Sequence, residues 1–272
     1  MILWILLILL LVVALYLFLI CPALKKPGAD HLMGWKYAHR GLHDGNRKVA
    51  ENSLEAFRLA VEHGYGMELD VQLTKDNQLV VFHDKSLKRV CGVNVDLYTQ
   101  TYDELRQYFL PGGQQIPLFS EVLELVDGKT PLIVEIKYHD RLIETCKAAH
   151  EQLKAYKGSY CVESFHPLAV RYFRKNAPHI IRGQLASGGK NEDKHTSSLN
   201  FFCMKHLLVN VLGRPHFVAY SVPEDKSPSV TLMKRLFKPY LAAWTIRSQD
   251  VMDYAKKEGY QLPIFELFRP EE

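Results

Sequence analysis

No Gly-x-Gly-x-x-Gly run follows any apolar stretch of this 272-residue chain, which excludes the dinucleotide-binding form of an open, doubly wound sheet. Cysteine is scarce. Cys21, Cys91, Cys146, Cys161 and Cys203 lie far apart and show no paired ligand spacing, so neither a disulfide framework nor a zinc site is on offer. Neither sign of charge dominates, with 34 Lys and Arg against 30 Asp and Glu, and no electrostatic case for nucleic-acid binding arises. The length allows one large core and does not demand a second domain.

Charge, proline and glycine are all missing from residues 1–20, MILWILLILLLVVALYLFLI. At about 1.5 Å per residue such a helix just spans a hydrocarbon core of about 30 Å. No basic segment precedes it and the run is too long for the apolar part of a signal peptide, so residues 1–21 read as a retained transmembrane anchor. Ile20 is also large for the position before a lipid-modified Cys21. Lys25 and Lys26 follow the span, and positive-inside bias then places the remainder on the cytoplasmic side. PALKKPG opens a linker over residues 22–34.

From Trp35 on, short apolar runs alternate with amphipathic stretches. The runs are WKYAHRG, YGMELDVQL, PLIVEIK, YCVESF, IIRGQL, FVAYSV, LAAWTI and QLPIF. Between them, stretches such as SLEAFRLAVEHG carry apolar residues at helical spacing, here Leu54, Phe57 and Val61, with Asn52 or Ser53 as N-cap and Gly64 as stop. Eight strands joined by crossover helices predict an α/β fold, a closed parallel (β/α)8 TIM barrel over residues 35–270. The run LVVFHD is left out of that count. KDNQ before it is too short for a parallel crossover, so it returns antiparallel from the second strand. With Lys75–Gln78 as the turn, Asp70 faces His83.

Residues i and i+2 of a strand share a face, so Glu68 points with Asp70 and Glu135 with Lys137. All four lie near the C-terminal ends of their strands, the face on which barrel active sites are built. Three carboxylates gathered there repel one another and lose hydration unless something positive sits among them. A hard divalent cation on oxygen ligands meets that need. The plainer reading is an ion network with Lys137 and Arg40, but buried ion pairs stabilise weakly. His39 ends the first strand and His83 the hairpin, a candidate general acid/base pair at one mouth. Arg40 and Lys137 offer fixed positive charge to a phosphate. The other ten histidines read as surface or packing residues.

AHRG, ENS, ELDVQLTKD, VVFHD, IPLFSEVLELV, VEIK, SF and AWT occur here in the order found in glycerophosphodiester phosphodiesterases, and the chain resembles that family from about residue 35 to 270. The resemblance implies a TIM barrel that hydrolyses glycerophosphodiesters to glycerol 3-phosphate and an alcohol with one divalent ion, Mg²⁺ or Ca²⁺. It implies Glu68, Asp70 and Glu135 as metal ligands and His39 and His83 as the catalytic pair. Arg40 and Lys137 would contact phosphate, and Glu51 the metal or substrate glycerol. Residues 71–131 or so look like that family's insertion after the second strand. AENS stands where PENT is typical, and LPIFELFRP lacks the Thr-Asp-x-Pro-like ending. Asn52 and Ser53 are explained as a helix cap. Ser164, Phe165, Gln184 and Trp244 end other strands, where packing and substrate contact compete; Trp244 is kept as a substrate-binding candidate.

The partners expected are therefore a small-molecule or lipid phosphodiester and the membrane, with no nucleic acid. One alternative is a lysophospholipase-D-like or sphingomyelinase-D-like enzyme acting on membrane lipids, which the anchor favours. Another is a barrel that binds glycerophosphodiesters without turnover.

Overall fold

Strand Gly66–Leu73 is buried along its entire length, Glu68 and Asp70 included, as befits a stave with helices on one side and a barrel interior on the other. In the computed structural model, which describes residues 1–189 and 197–271, nine strands form one sheet. They are β1 (Tyr37–Ala38), β2 (Gly66–Leu73), β3 (Leu79–Val81), β4 (Leu132–Ile136), β5 (Tyr160–Ser164), β6 (Arg182–Ala186), β7 (Phe217–Ser221), β8 (Tyr240–Ile246) and β9 (Leu262–Phe265). The order β1-β9-β8-β7-β6-β5-β4-β2 closes on itself through parallel β1–β2 pairing. These eight parallel staves are the barrel expected from the sequence; β3 pairs antiparallel with β2, outside the ring.

The helices are α1 (Ile2–Ile20), α2 (Leu54–Glu62), α3 (Lys88–Cys91), α4 (Tyr102–Leu105), α5 (Phe119–Val126), α6 (Leu142–Ala155), α7 (Pro167–Asn176), α8 (Ser198–Lys205), α9 (Asn210–Gly213), α10 (Pro228–Phe237) and α11 (Gln249–Lys257). The apolar faces of α2, α5, α6, α7, α10 and α11 pack on the outer side of the staves, with Phe57, Val122, Cys146, Phe173, Met233 and Met252 among the buried contacts. α1 is long and apolar enough to cross a membrane, with a mean hydropathy of 3.2. The foot of the barrel is filled by Tyr37, Ile133, Cys161, Phe217 and Leu262, closed from below by Ala29 and Leu32 from the segment ahead of β1. An apolar plug at the foot leaves the polar residues gathered at the opposite rim.

The hairpin corrects the expected register by one residue. Val71 pairs with Val81 and Leu73 with Leu79, and the Phe82 N–H donates to the Asp70 carbonyl at 3.0 Å. The turn is one residue shorter than expected because Asn77 adopts φ 65°, where asparagine is tolerated, and Thr74 closes on Gln78 at 3.0 Å. Phe82 then leaves the ladder for a small core with Ala50, Leu87 and Leu97, and the next residue, His83, is carried to the barrel mouth.

Candidate active site

Register places the acids before any side chain contributes. Asp70 pairs with Glu135, and Glu135 with Glu163, so three neighbouring staves present carboxylates at one level. Oxygens of Glu68, Asp70 and Glu135 lie within 4.8 Å of one another, all buried. The Lys137 ammonium donates to Glu135 at 2.8 Å and stands 3.4 Å from Asp70. Above them a cavity of about 370 Å³ is lined by His39, Arg40, Glu51, Glu68, His83 and Trp244, among others.

Two cations cannot neutralise four buried acids. Burial, with the neighbouring carboxylates, pushes Glu68 and Glu163 well above the usual carboxylate range. Burial also raises Glu135, to about 7 against the pull of Lys137. Burial opposes the charge of Asp70 too, but His83, Lys137 and Arg40 outweigh it and hold that carboxyl ionised. Among the described residues, the buried Asp70 Oδ1 and Glu163 Oε2 have no hydrogen-bond partner. Converging hard oxygen donors with unmet acceptor capacity fit a divalent ion such as Mg²⁺ or Ca²⁺, and Glu68, Asp70 and Glu135 make a possible metal site.

Arg40 reaches this cluster through an unusual backbone. It takes φ 56° and Gly41 φ 77°, and the Arg40 N–H donates to Glu68 Oε2 at 3.0 Å. A side chain at Gly41 would meet Ala56 of α2 at 2.9 Å, so glycine lets the turn and the helix approach each other. The Arg40 guanidinium donates to Glu51 at 2.7 Å and lies 3.5 Å from Asp70. Glu51 also accepts from Asn46 at 2.8 Å and from both terminal nitrogens of Arg89, at 2.7 and 2.6 Å. Burial would raise Glu51, but Arg89 and Arg40 hold it at about 2.

Both histidines stand on carboxylates. His39 Nδ1–H donates to Glu266 at 2.8 Å, leaving Nε2 3.8 Å from Glu68. Glu266 is held below the carboxylate range by His39, His43 and Arg247 in spite of burial. His83 Nδ1–H donates to Asp84 at 2.6 Å, and Asp84 is itself gripped by Arg89. Burial lowers His39; burial and the charge of Lys137 lower His83 to about 4. Both shifts favour the neutral ring, in which Nδ1–H stays on the carboxylate and Nε2 carries the lone pair.

Several members of the site escape the sequence reading. Asn52 is not a cap: Ser53 alone accepts from the Ala56 N–H at 3.2 Å, while the Asn52 amide donates to Asp70 at 2.8 Å. One helix needs one cap, and Asn52 stood free once Ser53 was chosen. Glu266, Asp84 and Arg89 join the site with no periodic signal in the sequence, whereas Glu163 stands one residue from the end of its strand as Glu135 does. Nor are all ten remaining histidines remote. His139 donates to the His83 carbonyl at 3.0 Å, and His43 lies 3.5 Å from Glu266. Ser164 braces the Ile136 carbonyl at 2.7 Å and Gln184 donates to the Phe165 carbonyl at 2.9 Å, both packing roles. Trp244 lines the cavity, edge-on to Phe165 with ring centres 5.4 Å apart.

The profile of the glycerophosphoryl diester phosphodiesterase family matches residues 39–261. A glycerophosphodiester phosphodiesterase of Bacillus altitudinis is 36% identical over 159 residues, covering 53% of this chain and 63% of that protein. The human lysophospholipase D GDPD1 is 38% identical over 133 residues, 44% of this chain and 40% of its own length. The chain thus aligns with less than two thirds of either relative. Among solved structures, a phosphodiesterase of Oleispira antarctica in complex with the product sn-glycerol-3-phosphate superposes with a TM-score of 0.70 at 24% identity, over 88% of this chain and 94% of that one. That likeness shows the fold.

Proposed function

This chain belongs to the glycerophosphodiester phosphodiesterase family, and we propose that it hydrolyses glycerophosphodiesters to glycerol 3-phosphate and an alcohol, using one Mg²⁺ or Ca²⁺ ion held by Glu68, Asp70 and Glu135. The observation that carries this reading is the meeting of three carboxylates, two cations and two carboxylate-backed imidazoles at one barrel mouth. When bound, the ion supplies Lewis-acid charge to the phosphodiester oxygens. Arg40 and Lys137 hold the phosphate and offset the charge that grows on it. Glu51 and Trp244 line the glycerol side. With Nδ1–H committed to Glu266 and Asp84, His39 and His83 each work through Nε2: one, neutral, takes the proton of the attacking water or glycerol hydroxyl, and the other, protonated on Nε2 beside the anionic phosphodiester, gives that proton to the leaving alkoxide. Glycerol 3-phosphate is the product carried by the Oleispira antarctica structure. α1 serves as a retained membrane anchor.

A second reading, a lysophospholipid as substrate, is favoured by α1 and by the similarity to human lysophospholipase D. The test is a panel of glycerophosphocholine, glycerophosphoethanolamine and lysophosphatidylcholine, with EDTA and with Mg²⁺ or Ca²⁺ added back. Glycerol 3-phosphate release that EDTA abolishes and the metal restores is the expected result. Turnover confined to the lysolipid selects the second reading, and EDTA-insensitive binding without turnover leaves a non-catalytic barrel.

A further inference from the structure

α1 does not simply trail from the foot of the barrel. β7 ends at the mouth, so α10, which returns from it, has its first turn at the rim and its last at the foot. The contacts of α1 descend along α10 in step. Tyr16 shares a 2.7 Å hydroxyl hydrogen bond with Ser229, in the first turn. The Ile20 carbonyl accepts at 2.9 Å from Asn210, whose amide also lies 4.0 Å from Met233, in the middle. Lys26 donates to the carbonyl of Lys238, past the last turn, while the Ala23 N–H donates at 2.9 Å to Pro215, just ahead of β7. Arg214 locks the junction by donating to the Phe18 and Cys21 carbonyls at 2.9 and 2.6 Å. The chain therefore comes down from the rim, and the wholly exposed residues 1–15 project beyond the mouth.

Within the chain itself the first charged side chain is Lys25, so residues 1–24 carry none. Beside the junction lies α8, in which no residue is buried. Its Leu199 is 70% and its Phe202 51% exposed. The Phe202 ring lies 4.4 Å from that of His206, and His206 pairs at 3.3 Å with Ser229, the hydroxyl that also meets Tyr16. The exposed apolar face of α8 thus stands next to α1, joined to it through His206 and Ser229. Large exposed apolar side chains gathered beside an apolar helix are uncommon on a protein surrounded by water and ordinary at a bilayer interface.

We propose that α8 and the adjoining rim rest on the bilayer that α1 crosses, so that the catalytic cavity opens toward that bilayer and receives phosphodiesters presented at its surface. The proposal rests on α1 being a retained anchor. Its test is independent of catalysis. The full chain is inserted into phosphatidylcholine–phosphatidylglycerol vesicles with photoreactive p-benzoylphenylalanine replacing Phe202, or Leu199 as a second placement should the first variant unfold. A third variant carries it in place of Lys257, exposed at the foot end of α11. The vesicles are floated and irradiated, and phospholipid adducts are counted by mass spectrometry. Adducts from the α8 positions at least about tenfold above those from position 257 are expected, because only the former meet acyl chains. A chain that floats yet labels equally from both ends, or chiefly from position 257, overturns the proposed face and leaves the anchor standing. A chain that does not float overturns the anchor and the face together.

Discussion

His39 follows β1 and Glu266 follows β9, and a 2.8 Å hydrogen bond joins them across 227 residues of sequence. Parallel pairing of Ala38 with Phe265 sets the two in register, so closing the barrel builds the dyad. An ionised Glu266 accepting from Nδ1–H fixes the tautomer that points Nε2 toward Glu68. Glu266→Gln should lower kcat on the order of 10²-fold, since an amide can present either a donor or an acceptor to the ring. His39→Ala and His83→Ala should each cost about 10²–10⁴-fold. Steady-state kinetics with a saturating metal ion checks all three; parent rates in both histidine variants would sink the assignment.

Asn52 and Ser53 are neighbours with separate tasks. Ser53→Ala removes the α2 cap and should cost about 1 kcal/mol of stability while activity is kept. Asn52→Ala removes the donor to Asp70 from a residue at φ 55°. It should weaken metal affinity roughly 10–100-fold, the usual worth of a group that orients a ligand. Metal titrations and urea melts on the two variants separate the effects, and equal behaviour in both would overturn the distinction.

Glu51 should make stability depend on acid pH. Its carboxyl sits at about 2 in the folded chain against an ordinary 4.5. The unfolded chain takes up a proton first as pH falls, so the stabilisation is present above 4.5 and is lost on the way down to about 2. Glu51→Gln should therefore be less stable than the parent by about 3 kcal/mol at neutral pH, an order-of-magnitude figure, with the gap narrowing in acid. Urea unfolding at about pH 7 and about pH 3 measures it; a gap independent of pH would refute the role given to Arg40 and Arg89.

Gly41→Ala should damage fold and site together. The added methyl meets Ala56 at 2.9 Å with φ at 77°, which should cost about 1–3 kcal/mol. Because the Arg40 N–H and guanidinium hang on the same turn, a fall in kcat/KM should accompany the lowered Tm. A variant as stable and active as the parent would show that the turn has room to spare.

The sequence by itself determined the staves and the acids they carry. Strand and helix periods are local, so eight alternating runs announce a barrel. Spacing of two residues puts Glu68 with Asp70 and Glu135 with Lys137 wherever those strands go. The uncharged first twenty residues are likewise legible without a fold. Tertiary structure decided what depends on closure and on competition between neighbours. A positive φ at Asn77 set the hairpin register, and burial of Phe82 brought His83 to the mouth in spite of the shift. Helix α2 took Ser53 as its cap and released Asn52 to Asp70. Glu266 and Arg89 reach His39 and Glu51 from 227 and 38 residues away, and no periodicity in one chain records a contact made by bending a sheet into a ring. The course of α1 past the mouth is of the same kind: its apolarity is local, but its direction is set by the side chains of α9 and α10 that it packs against.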